Sequence, residues 1–150
     1  MMTEAALASA APLRVLLLDD DPFMLAMLGD ILEEVDGDID VRSERDARAA
    51  LQALGKHRPE LLICDLSMPD MDGIEFLRLT AESDFHGGVV LLSGMDQRIL
   101  QAAEMLAMAQ GLTILGACRK PLAAGELGDL VALARSLRQR PDRRQLDNKH

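Results

Sequence analysis

The chain has 150 residues, 49% of them hydrophobic and 27% charged, with three Phe and neither Trp nor Tyr, which suits one domain around an aliphatic core. Its formal charge of −9 disfavours direct nucleic-acid binding. No apolar run approaches the roughly 18 residues of a membrane span, and the first twelve residues lack the basic start and long apolar stretch of a signal peptide.

Two cysteines, Cys64 and Cys118, are too few for a disulfide framework and lie in apolar runs, so buried reduced thiols and a soluble, cytoplasmic protein are expected. The charge is uneven. From Arg135 onward there are six Lys/Arg and two Asp, which leaves ten basic and twenty-three acidic residues before that point.

In chain order, residues 1–12 are expected to be a flexible lead, residues 13–138 the folded domain, and residues 139–150 a polar basic tail or linker. The first apolar run, Arg14 to Leu18, predicts a strand. A helix follows from about Pro22, a residue suited to a first helical turn, with Met24, Leu28, Ile31 and Val35 on one face. A weaker strand around Ile39 to Arg42 has the polar alternation of a sheet edge, and the next helix carries Ala47, Ala50, Leu51 and Leu54. "ELLICD", Glu60 to Asp65, is the third strand. After a loop rich in Pro, Gly and Asp comes a helix with Ile74, Leu77 and Arg78. "GGVVLLSG" is the fourth strand, and a long helix from about Asp96 to Gln110 places Ile99, Ala103, Leu106 and Gln110 in a row. "LTILGACRKP" is the fifth strand, before a helix marked by Leu127, Leu130, Val131, Ala134 and Leu137.

Strands alternating with helices imply crossover connections and a parallel sheet covered on both faces, an α/β fold. In such sheets, ligands bind outside the carboxyl ends of the strands. The residues expected there are Asp19 and Asp20 after the first strand, Asp65 after the third, Ser93 at the end of the fourth and Lys120 at the end of the fifth. Carboxylates gathered in one crevice call for a hard cation, and an all-oxygen set suits Mg²⁺. With a hydroxyl and a lysine beside them, these are the parts needed to form an aspartyl phosphate, and Asp65, on a middle strand, is the natural nucleophile. The isolated His57, His86 and His150 have no metal-ligand spacing.

"LLLDDDP", "CDLSMPDMDG", "VVLLSG" and "RKP" occur in the order and near the spacing of the receiver domains of bacterial response regulators, which the chain resembles from about Leu13 to Leu137. The resemblance implies a flavodoxin-like, CheY-like five-stranded sheet of order 2-1-3-4-5. It makes Asp65 the phosphoacceptor, with Asp20 on Mg²⁺ directly, Asp19 through water, and the backbone carbonyl of Ser67 as a further metal ligand. Ser93 and Lys120 become the groups that meet the phosphoryl oxygens, Lys120–Pro121 a cis peptide, and Asp21 the cap of the first helix. The implied phosphodonor is a histidine kinase or a histidine phosphotransfer protein. The implied output is a conformational switch, not enzyme turnover, that acts on an effector or a second copy of the chain through the fourth helix and fifth strand.

Two departures from the family pattern stand out. Ala117 occupies a position that often holds Tyr or Phe, and the interval from Ser93 to Lys120 is 27 positions, longer than usual, which implies an extended fourth helix or following loop. Met95, Met105 and Met108 lie in that region. The long fourth-helix region, the fifth strand "GLTILGACRKPL" and the missing aromatic residue at position 117 are together most similar to receivers fused to cyclic-diguanylate phosphodiesterase (EAL) domains. A haloacid-dehalogenase-type phosphatase, which also uses an Asp nucleophile, fits less well, because "DDDP" lacks the Gly-Thr or Gly-Val that follows its paired acids. An unphosphorylated interaction module of the same fold is the remaining alternative.

Overall fold

Leu, Val and Ile fill the strands of the computed structural model, which describes residues 11–69, 72–94 and 97–138. The elements are β1 (Leu13–Leu18), α1 (Pro22–Val35), β2 (Ile39–Glu44), α2 (Ala47–His57), β3 (Leu61–Asp65), α3 (Gly73–Glu82), β4 (Gly88–Ser93), α4 (Gln97–Ala109), β5 (Thr113–Arg119) and α5 (Ala124–Leu137). All pairings are parallel, in the order β2-β1-β3-β4-β5, as expected of a flavodoxin-like sheet. The leading residues 1–10 and the tail from 139 on lie outside the described residues, as do Met95 and His150.

β3 and β4 are buried along their whole length, which is why they read as continuous apolar runs. Successive side chains point to opposite faces. Leu16, Leu18, Leu62, Cys64 and Leu91 pack with α2, α3 and α4, whereas Val15, Leu17, Ile63, Val90 and Leu92 pack with α1 and α5. Each fully buried leucine contributes about 1.5–3 kcal/mol. The polar β2 is indeed an edge strand. β5 is the other edge, and its partial exposure leaves Cys118 only half-buried while Cys64 is fully buried.

Aspartates start three helices. Asp21 accepts from Phe23 N–H, Asp46 from Ala49 N–H, and Asp72 from Ile74 and Glu75 N–H, each filling an orphan donor of a first turn. The helix faces differ in part from those that periodicity suggested. α4 buries Leu100, Ala103 and Ala107, leaving Ile99 and Leu106 exposed. α3 buries Phe76, Leu77 and Thr80, leaving Ile74 exposed. Where neighbouring positions are both apolar, two stripes one residue apart fit the same 3.6-residue period. On α4 the buried stripe of Leu100, Ala103 and Ala107 includes two alanines, whose small side chains let the helix come close to the sheet. On α3, Thr80 is admitted to the core because its hydroxyl donates to Phe76 O at 2.9 Å.

The far edge of the sheet, where the strands begin, is tied by arginines. Gly87 enters β4 so close to β3 that a Cβ there would collide with the Glu60 carbonyl. Arg138, just after α5, donates to both Glu60 carboxylate oxygens and to the carbonyls of Ala11 and Pro12, the latter two at 2.9 Å. Arg135 pairs with Asp36 at 2.7 Å. Both basic residues thus belong to the folded body. Partial burial disfavours the charged form of Glu60, but the hydrogen bond and charge of Arg138, followed by those of Arg14, outweigh it and hold its carboxyl below the usual range.

A depressed folded-state pKa stabilises the fold above the unfolded value and ceases to do so as pH falls through the folded one. Glu60→Gln should therefore lower stability in urea by about 1 kcal/mol at neutral pH, solvent screening included. The gap between variant and wild type should close as pH falls below about 4.

Candidate functional site

The carboxyl ends of β1, β3, β4 and β5 meet at one edge because the strands are parallel. Asp19 follows Leu18, the last residue of β1, and is 1% exposed. Asp65 closes β3 and Ser93 closes β4, each 2% exposed. Lys120 follows β5, and its backbone N–H donates to Ser93 O at 3.0 Å, which continues the β4–β5 pairing by one residue and sets the lysine over the crevice. The Lys120–Pro121 peptide is cis.

Lys120 Nζ lies 2.8 Å from Asp19 Oδ2 and 3.0 Å from Asp65 Oδ2. The second oxygens of these acids are also held: Asp19 Oδ1 accepts from Asp21 N–H and Asp65 Oδ1 from Ser67 N–H, both at 2.9 Å. Burial works against the Lys120 ammonium, but its hydrogen bonds and charge interactions with Asp19 and Asp65 prevail and raise its pKa above the ordinary lysine value. Burial, with the charges of Asp65 and Asp19, pushes the Cys64 thiol up, so it is no nucleophile at neutral pH.

Asp20, exposed beside this pair, completes a group in which one carboxylate oxygen each from Asp19, Asp20 and Asp65 lies within 4.8 Å of the others. Three carboxylates against one ammonium leave net negative charge among oxygen donors, and this fits a hard divalent cation such as Mg²⁺. All six residues expected from the sequence, Asp19, Asp20, Asp65, Ser67, Ser93 and Lys120, gather at this edge.

Two features of the site were not foreseen. The Ser67 hydroxyl lies 3.1 Å from the Ser93 hydroxyl and accepts from Gly94 N–H at 3.1 Å. The Arg45 guanidinium donates to the Asp20 carbonyl from Nε and Nη2, at 3.3 and 3.2 Å. Both are contacts between separate loops, for which no local spacing gives a signal. Asp72, at the end of the loop rich in Pro, Gly and Asp, serves as the cap of α3.

An acidic crevice with a lysine, at the carboxyl edge of a 2-1-3-4-5 parallel sheet, defines a CheY-like signalling domain. Residues 15–132 match the family model described as response regulator receiver domain, and the chain belongs to that family. It is 32% identical over 136 residues to the cyclic di-GMP phosphodiesterase RocR of Pseudomonas aeruginosa, a match covering 85% of this chain and 32% of that protein. It is 33% identical over 85 residues to the chemotaxis protein CheY of Bacillus subtilis, covering 57% of this chain and 70% of CheY. The transcriptional regulatory protein TrcR of Mycobacterium tuberculosis is 34% identical over 89 residues, 59% of this chain and 34% of TrcR. The chain thus spans about a third of the length of RocR and of TrcR. A crystal structure of a response regulator from Colwellia psychrerythraea superposes with a TM-score of 0.68 at 36% identity, covering 82% of this chain and 97% of that one.

Removing the ammonium would leave Asp19 and Asp65 buried without a cation, which is costly. Lys120→Ala should lower the metal-free unfolding free energy by about 3 kcal/mol, and adding Asp19→Asn should restore part of the loss. Urea titrations of the three proteins check both.

Proposed function

We propose that Asp65 is the phosphoacceptor of this receiver domain, and that the donor is the phosphohistidine of a histidine kinase or phosphotransfer protein. The observation that carries this reading is the Lys120 ammonium 3.0 Å from Asp65 Oδ2, at a crevice lined by Asp19 and Asp20. A carboxylate oxygen of Asp65 attacks phosphorus; the new P–O bond forms as the bond to the donor nitrogen breaks, and that nitrogen keeps the electron pair. Lys120 is placed to exchange its pairing with Asp65 for one with a phosphoryl oxygen, and Ser93 to donate its hydroxyl to another. Asp19, Asp20, Asp65 and the Ser67 backbone carbonyl would hold Mg²⁺, which when bound neutralises phosphoryl charge.

The product carries about −1.5 to −2 charge at neutral pH, enough to bias an equilibrium between two arrangements of the β4, α4 and β5 region. On this reading the domain is a switch and not a turnover enzyme. Its output surface is the outer face of α4, where Ile99, Met105, Leu106 and Met108 are exposed, open to an effector or to a second copy of the chain. Residues 13–138 make the receiver, and residues 139–150 a polar basic tail or linker. Similarity to RocR over 85% of the chain supports an output in cyclic-diguanylate hydrolysis, and the absence of any long apolar helix among the described residues is compatible with the cytoplasm.

With Mg²⁺ and acetyl phosphate, intact-mass measurement should show wild type gaining one phosphoryl group and Asp65→Asn none. Equal labelling of the two would remove Asp65 from the role, and an unlabelled wild type would favour an interaction module without phosphorylation.

Asp20→Asn should raise the melting temperature of the metal-free protein by easing carboxylate repulsion, and weaken Mg²⁺ binding at the same time. Calorimetry and a Mg²⁺ titration read the two effects, and a variant that melts lower while binding Mg²⁺ normally would make Asp20 a structural residue.

A further inference from the structure

The side chain of Ala117, half-buried on β5, ends at Cβ, so no ring is present there to move with Ser93. Ser93 instead has a hydroxyl partner on the loop after β3. The Oγ atoms of Ser67 and Ser93 are 3.1 Å apart across 26 residues of sequence. The same Ser67 Oγ accepts from Gly94 N–H at 3.1 Å, and the Ser67 N–H donates to Asp65 Oδ1 at 2.9 Å. One residue thus joins the acceptor carboxylate, the hydroxyl at the end of β4 and the first backbone amide on the way to α4.

A hydroxyl accepts two hydrogen bonds and donates one, so Ser67 Oγ has capacity for both Gly94 N–H and Ser93 O–H. Ser93 has a single O–H to give. An aspartyl phosphate would offer it charged oxygens, and bonds to a charged acceptor are about twice as strong as those to a neutral hydroxyl. Resting on the reading of Asp65 as phosphoacceptor, we propose that Ser93 is the donor of this hydroxyl pair and that Ser67 is a positioning residue whose oxygen latches Ser93 in the unphosphorylated domain and releases it on phosphorylation. The released bond is felt at Gly94, bound to the same oxygen, and so at the start of the connection to α4. This gives the receiver a route from Asp65 to α4 that needs no aromatic side chain at position 117.

Ser67→Ala deletes the latch and keeps the backbone N–H and carbonyl; Ser67→Thr keeps the hydroxyl. The expected result at saturating Mg²⁺ is acetyl phosphate labelling about five-fold faster in Ser67→Ala than in wild type, the worth of one neutral hydrogen bond, with Ser67→Thr close to wild type. In ¹⁵N NMR spectra without a phosphodonor, the Ala103 amide within α4 should move in Ser67→Ala toward the position it takes in wild type with Mg²⁺ and beryllofluoride. A merely structural Ser67 would lower the melting temperature and move neither readout. Unchanged labelling and an unmoved Ala103 amide in Ser67→Ala, or Ser67→Thr behaving as Ser67→Ala, would overturn the latch. If Asp65→Asn still labels as wild type does, the phosphoacceptor reading falls and the latch with it; if Asp65→Asn is silent and Ser67→Ala is unchanged, the latch falls alone.

Discussion

A single ammonium set between two buried carboxylates is the constraint around which this domain is arranged. Lys120 reaches Asp19 and Asp65 from the end of β5, and without it two acids with almost no solvent exposure would stand in repulsion. The sheet supplies that geometry. Parallel strands bring all their carboxyl ends to one edge, and the apolar bodies of β1, β3 and β4 leave the strand ends as the first places where polar side chains can stand. The ion pairs are held in turn by backbone: Asp21 and Ser67 N–H groups fix the remaining carboxylate oxygens, and the β4–β5 pairing fixes Lys120.

The same residue type does two kinds of work here, and burial separates them. Asp21, Asp46 and Asp72 are exposed and satisfy helix amides, whereas Asp19 and Asp65 are buried against a lysine. Asp20 lies between these cases, exposed yet within reach of both site acids. This gradient across three consecutive aspartates accounts for the "DDD" run: one member pairs with Lys120, one faces solvent beside the crevice, and one starts α1.

Loop-to-loop contacts link the acidic edge to the rest of the domain. Ser67 joins the ends of β3 and β4, and Arg45 reaches across to the Asp20 carbonyl. At the opposite edge, Arg135 and Arg138 tie the end of α5 to Asp36, which caps α1, and to Glu60, just before β3. Between the two edges, α4 seats Leu100, Ala103 and Ala107 on the sheet and turns Ile99, Met105, Leu106 and Met108 outward.

Local chemistry determined much of this. Five apolar runs alternating with helical periods specify an α/β fold, the polar β2 specifies its own place at an edge, and strand-end Asp65, Ser93 and Lys120 are legible because a parallel sheet puts them on one side. The motifs around them were sufficient to indicate the family. Which apolar stripe of α4 faces the sheet was not legible, since Ile99/Leu106 and Leu100/Ala107 obey the same period, and only close packing against β4 and β5 chooses between them. Nor could spacing reveal the hydroxyl pair of Ser67 and Ser93 or the Arg45 contact. Hydrogen bonds between residues about twenty-five positions apart leave no local periodic trace; they exist because the folded sheet brings separate loops together at one edge.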